Sequence, residues 1–222
     1  MADFITAKGM ILETHPYSEA DKRIVILTGE RGKITAFARG ARRPKSVFSA
    51  STEPFVFGEF VLYPGKSAYS LEKVNVTDYF REISADIDKA ALGFYFLELA
   101  GYYASEENDE RGLVNLLYMA IKALLTPGLD LRYIRRAFEF RAMVVFGEYP
   151  DMFSDELMRP FDELSNDALG LMRFIQKAGL KELFAAHPGE STLLETENAV
   201  ERYICAHRHH IFKSLELLDD MW

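Results

Sequence analysis

The chain has 222 residues, 49% of them apolar and 27% charged, with a formal net charge of −8. That composition is too apolar for a disordered chain, and the length suits one large domain or two small ones. A single cysteine, Cys205, excludes an internal disulfide and a multi-cysteine zinc site. The longest apolar candidate, residues 113–125, is interrupted by Asn115 and Lys122 and falls short of the roughly 18 residues that span a bilayer. Met1-Ala2-Asp3-Phe4 lacks the basic and apolar regions of an export signal, so the expectation is a soluble cytosolic protein.

Residues 4–13, 23–28, 33–39, 55–63 and 69–76 are short and rich in β-branched or aromatic side chains. Turn signals separate them: His15-Pro16-Tyr17-Ser18, Gly29-Glu30-Arg31-Gly32, the run from Gly40 to Pro44, and Pro64-Gly65-Lys66-Ser67. Five short strands in about 80 residues suit a small closed barrel, of which the oligonucleotide-binding (OB) fold is the common case. A β-sandwich usually needs more strands. From Ile83 the period becomes helical. Residues 90–103 are apolar nearly all round and predict a buried helix. Further helices are predicted over 113–125, over 131–146 with Asp130 as N-cap and Gly147 at the end, over 168–178 and over 193–212. Thr192 and Glu195 have the spacing of a capping box for the last of these. Residues 148–163 are the least regular. The expected plan is α+β: an OB barrel over 1–80, then an α-helical domain over 81–222.

Charge is unevenly spread. Residues 1–81 carry 12 Lys and Arg against 9 Asp and Glu, a net of +3, and the remainder nets −11. Six bases and no acid lie between residues 31 and 52. A one-signed patch attracts polyanions, although a merely solvated basic loop has the same composition.

Enzyme motifs are missing. Gly65-Lys66-Ser67 resembles the end of a P-loop, but Phe60 stands where that motif needs glycine. Cys205, His207, His209 and His210 cluster near the end of the last helix, yet helical spacing divides them between faces, and histidines there also suit the helix dipole. Acidic pairs such as Asp109-Glu110 read as solvated faces.

Alternation along 33–39 places Ile34, Ala36 and Ala38 on one face and Lys33, Thr35, Phe37 and Arg39 on the other. Small apolar residues suit the inside of a narrow barrel. An aromatic ring between cations suits single-stranded nucleic acid, whose bases stack while its phosphates meet Lys and Arg. The alternative is that helices cover Phe37 and the two cations snorkel around it. Arg31, Arg42, Arg43 and Lys45 extend the patch into the flanking turns, and Lys8, Lys22 and Arg23 would widen it from the first two strands. In the third helix Arg132, Arg135, Arg136 and Arg141 could present a cationic edge to a partner's carboxylates. Internal pairing competes, since Arg135 and Glu139 are four residues apart.

The segment Ile5-Thr6-Ala7-Lys8-Gly9-Met10-Ile11-Leu12, the turn from His15 to Lys22, Gly32-Lys33-Ile34-Thr35, and Ala38-Arg39-Gly40-Ala41-Arg42-Arg43-Pro44-Lys45-Ser46 together resemble the DNA repair protein RecO family. Pro54-Phe55 continues the likeness, with weaker echoes at 138–150 and at Lys213-Ser214-Leu215. The resemblance implies an OB-fold domain followed by a helical domain. It implies a non-enzymatic, nucleoid-associated recombination mediator that binds single- and double-stranded DNA and anneals complementary strands. The implied partners are RecR and the acidic tail of the single-stranded-DNA-binding protein (SSB), during loading of RecA recombinase. Lys213 is a further candidate for the DNA or RecR surface. Many members carry a four-cysteine zinc element after the position of Pro150. Here residues 151–158 contain no cysteine, so zinc is not expected and Met152, Phe153, Leu157 and Phe161 would hold the region by packing. A protein-interaction adaptor, whose basic loop meets an acidic partner, is the second reading. A hydrolase or transferase is third and has no motif behind it.

Overall fold

Five runs of β-branched and aromatic residues form β1 (Ile5–Pro16), β2 (Lys22–Thr28), β3 (Gly32–Ala38), β4 (Phe57–Pro64) and β5 (Tyr69–Asp78) in the computed structural model, which describes residues 4–147, 164–207, 210 and 212–215. Each predicted strand is present, its ends displaced by at most three residues. The strands close in the order β1-β2-β3-β5-β4, with β1 returning to pair with β4. All neighbours are antiparallel except β3 and β5, which are parallel and joined by two pairs, Ala36 with Tyr69 and Phe37 with Ser70. This is the expected OB-type barrel. A single turn of helix, α1 (Phe48–Ser51), lies between β3 and β4.

The two-residue period of the strands fills the interior. Ile24 and Ile26 of β2, Ile34, Ala36 and Ala38 of β3, and Phe60 and Leu62 of β4 form one buried cluster. A barrel this narrow takes alanine at successive inward positions of β3 because Phe60 and the isoleucines already occupy the space.

The chain divides into two compact units. One contains Met1–Ala85 with Leu97–Tyr118, and the other Asp86–Phe96 with Met119–Trp222. In the first, residues 105–110 form a strap along the β2–β3 turn. Lys33 N–H donates to Ser105 O (2.9 Å), Glu107 N–H to Arg31 O (3.1 Å) and Glu110 N–H to Gly29 O (2.8 Å). Glu110 was expected on a solvated face, but it is 3% exposed. Its carboxylate accepts from Ser105 N–H and from Asn108 Nδ2, each at 3.2 Å, and so shapes the strap.

The helices are α2 (Ile87–Tyr103), α3 (Arg111–Leu124), α4 (Leu131–Val145), α5 (Asn166–Lys177), α6 (Leu180–Leu183) and α7 (Glu190–His207). Asp130 caps α4 as predicted, accepting Arg132 N–H at 2.8 Å. Within α2 the expected all-round burial fails at Phe94 and Tyr102, both exposed, whereas Leu92, Tyr95, Phe96, Leu97 and Leu99 are buried. The capping box at Thr192 does not form. α7 starts earlier, at Glu190, and Glu195 accepts instead from Ser165 N–H at 3.0 Å, beside the start of α5. α7 also ends at His207, short of residue 212. The irregular stretch 148–163, with its expected packing of Met152, Phe153, Leu157 and Phe161, lies outside the described residues. Among the described residues no helix is long and apolar enough to cross a membrane.

Gly32 holds the strap against the barrel. Its φ is +60°, and a Cβ there would lie 1.9 Å from Ser105 O. We expect Gly32→Ala to cost at least about 1–3 kcal/mol from backbone strain alone, read as a lower urea midpoint with an unchanged m-value.

Candidate nucleic-acid interface

The β1–β2 turn and the loop after β3 are bound together, and the cations ride on that join. Asp21 is the link: one carboxylate oxygen accepts Gly40 N–H at 2.8 Å, and its carbonyl accepts Tyr17 N–H at 3.0 Å. Arg42 adds two more contacts. Its N–H donates to Ala20 O at 2.9 Å and its guanidinium to Ser18 O. Gly40 N–H, then the Ser18 hydroxyl and the nearby Arg43 and Arg39 charges, hold the Asp21 carboxyl below its ordinary pKa. A basic loop that would otherwise spread by self-repulsion is thus pinned to a turn.

The pinned loop stands beside an aromatic pair. Tyr17 packs against Phe37 in a tilted contact, with ring centroids 4.4 Å apart at 46°. Tyr17 is 64% exposed and Phe37 half-buried. Arg23 sits directly opposite Phe37 in the β2–β3 pairing and is exposed on the same face. Arg39, Arg42, Arg43 and Lys45 are exposed along the loop, Lys45 with φ +60°. Six of the ten predicted residues, Arg23, Phe37, Arg39, Arg42, Arg43 and Lys45, therefore come together.

The other four do not join them. Arg31 and Lys33 lie at the opposite end of β3, where Lys33 Nζ donates to Gly101 O at 2.7 Å. Lys22 turns away from the patch. Its ammonium meets Glu53 at 2.6 Å and also Ser49 O and Thr52 Oγ1, leaving its side chain 13% exposed. Lys8 lies over the Phe57 ring, 5.3 Å from the centroid, opposite Glu59 of β4. It is seven residues along β1 from His15, the partner of Arg23, a separation of about 23 Å at ~3.3 Å per residue. Sequence reading missed Tyr17 and Asp21. An aromatic in the turn entering a cationic strand pair was the available signal for Tyr17, whereas the role of Asp21 needs the fold.

The arginines of α4 are occupied inside their own unit. Arg135 is buried and donates Nε–H to Glu139 at 3.1 Å. Arg136, 3% exposed, bonds Glu139 at 3.0 Å and Glu201 at 3.0 Å, with Glu197 at 3.5 Å. Arg132 bridges Asp130 and Glu190, and Arg141 donates to the Gln176 and Ala178 carbonyls. The expected cationic edge is replaced by internal pairing, because Glu139 of α4 itself, the Asp130 cap, acids of α7 and carbonyls at the end of α5 meet the guanidiniums. Glu139, 2% exposed, also accepts from the Tyr95 hydroxyl at 2.7 Å. Burial alone would raise its pKa, but the Arg136 and Arg135 charges and the Tyr95 hydroxyl outweigh that and hold it below the ordinary glutamate value.

A closed five-stranded barrel with cations and aromatic rings on the β2–β3 face defines an OB-fold protein followed by a helical region. Family models agree: Recombination protein O N terminal matches residues 1–80, and Recombination protein O C terminal matches residues 84–159. The chain belongs to the RecO family. It is 38% identical over 140 residues to a DNA repair protein RecO of Clostridium novyi (strain NT), covering 63% of this chain and 55% of that protein. Against that of Alkaliphilus metalliredigens (strain QYMF) it is 33% identical over 150 residues, covering 68% and 61%. Against that of Exiguobacterium sp. (strain ATCC BAA-1283 / AT1b) it is 28% identical over 214 residues, covering 96% and 82%. The matched chain thus spans little more than half the length of the first two relatives. Cys205, exposed on α7, is the one cysteine of the chain.

Two outcomes are expected. Asp21→Ala should speed hydrogen exchange at the Gly40 amide, read by NMR, with the barrel amides unchanged. Glu139→Leu should cost about 3–5 kcal/mol by urea denaturation, because it leaves buried guanidiniums without their shared carboxylate. Glu139 has a depressed folded pKa, so its stabilisation is present above the ordinary glutamate pKa. It is lost as pH falls through the folded value, and the mutant should show a correspondingly flatter acid limb.

Proposed function

We propose that this protein is a DNA repair and recombination mediator that binds single- and double-stranded DNA on the β2–β3 face of its barrel and anneals complementary strands. The observation that carries this reading is the pinned loop bearing Arg39, Arg42, Arg43 and Lys45 beside the tilted Tyr17–Phe37 pair. OB barrels take oligonucleotides on strands 2 and 3 and on the loops between strands 1–2 and 4–5; here the β1–β2 turn carries Tyr17, and the basic loop after β3 is pinned to that turn. Stacking on an aromatic platform contributes about 1–3 kcal/mol per base, and the cations bring affinity without sequence preference.

Annealing follows from the same parts. Exposed guanidiniums screen the repulsion between two phosphate chains while base edges stay free to pair. No covalent step is involved. The names of the relatives and the family support a role in DNA repair and recombination; a place beside RecR in loading RecA on SSB-coated DNA is what the sequence resemblance adds to the proposal. The α4 arginines are not assigned to the acidic tail of SSB, since their charges are already met within the fold.

The test is fluorescence anisotropy of a labelled single-stranded oligonucleotide across a salt series. At about −0.7 per neutralised phosphate, Arg39→Glu/Arg42→Glu/Arg43→Glu should reduce the slope of log affinity against log salt by up to about 2. Wild type should accelerate annealing of complementary strands and the triple variant should not. Absence of oligonucleotide binding at low salt would overturn the proposal for this chain.

A further inference from the structure

A second polar site lies at the other end of β3. A cleft of about 610 Å³ opens between the β2–β3 turn, the outer face of β3, the β4–β5 loop and the strap. That volume falls within the roughly 300–1,000 Å³ of small-ligand sites. It exists because β3 and β5 pair at only Ala36–Tyr69 and Phe37–Ser70, so the strands part below those rungs.

We propose that this cleft holds one unpaired nucleobase of a bound strand, preferring a base with an exocyclic amine and guanine above all. The inference rests on the DNA reading above and deepens it. Lys33, Thr35 and Phe37 share the outer face of β3, with Arg39 just past its end, so a strand stacked at Phe37 is led toward Lys33 and the cleft over about 13 Å, at ~3.3 Å per residue.

The lining decides what enters. A phosphate site would be one-signed, but here Arg31 and Lys66 are accompanied by Glu106 and Glu107. Carboxylates repel phosphate and accept N–H donors. Guanine offers two adjacent parallel donors, its ring N–H and its amine, which match the two oxygens of a carboxylate. Cytosine and adenine offer one amine. Thymine offers one ring N–H flanked by two carbonyls, which a carboxylate opposes. Tyr69, half-buried on the cleft wall and packed against the barrel core, leaves only part of its ring for the base to lie against. Arg31 and Lys66 are exposed and suit the phosphate that stays outside.

The wall is built rather than loose. Glu107 has φ +56°, a left-handed conformation uncommon for a residue with a side chain, and its N–H is bonded to Arg31 O. Glu106 pairs across to Gly32. The β4–β5 loop is closed by Gly65 N–H on Ala68 O at 3.1 Å. Lys66 of the Gly65-Lys66-Ser67 turn lines the cleft.

The full chain would be titrated separately with 5′-dGMP, 5′-dTMP and inorganic phosphate and followed by 1H–15N NMR. The amides of Thr35, Ser67, Tyr69 and Glu107 should shift with dGMP, saturating at about ten-fold lower concentration than with dTMP. Glu106→Gln/Glu107→Gln should erase that difference while leaving the Arg23 and Phe37 amides in place. No shift at these amides, an equal response to dGMP and dTMP, or the same shifts with phosphate alone would each overturn the proposal. Oligonucleotide binding that depends on Arg39, Arg42 and Arg43 without a dGMP response would sink the cleft and leave the DNA face standing. A dGMP response without oligonucleotide binding would overturn the DNA face and, with it, the placing of a strand's base in the cleft, leaving a mononucleotide site alone.

Discussion

The inside of the barrel governs its outside. Ile34, Ala36 and Ala38 are drawn inward because a five-stranded barrel is too narrow for anything larger beside Phe60 and the β2 isoleucines. With a period of two, Lys33, Thr35 and Phe37 then have the outer face as their place. A one-residue slip of β3 would bury a lysine and expose the alanines, so register and surface chemistry are specified together. The aromatic ring and its flanking cations are held in line by the apolar residues between them.

A second constraint acts on charge. Like-charged side chains in a flexible loop would separate to lower their repulsion. Here one carboxylate, Asp21, and a few main-chain bonds fix the loop to the neighbouring turn. The cost of ordering falls on folding, so the cations are already placed in the free protein. On α4 the opposite solution appears. Arg135 and Arg136 share Glu139 in the interior, with Glu197 and Glu201 of α7 drawn to Arg136. Similar side chains thus serve as surface in one unit and as internal ties in the other.

The barrel was legible in the sequence because strand periodicity and turn residues are local signals. The inward and outward faces of β3 followed directly from alternation. The positions of Lys8 and Lys22 were not legible, because strand order and the path of α1 decide which cations are neighbours. Nor was the burial of Glu110 or Arg136: a charged residue reads as solvent-facing until its partners are known, and Glu201 lies 65 positions from Arg136. The capping box at Thr192 misled for a related reason. Its spacing was right, but Glu195 found a donor at the start of another helix.

The two-rung junction of β3 with β5 has a mechanical consequence. Along the rest of the circumference, neighbouring strands share at least six paired positions, as β1 and β4 do. Force or thermal motion that loosens the cylinder will therefore part this seam first, since fewest bonds must yield there. Opening there separates β3 from β5 while the longer ladders around the rest of the cylinder stay paired.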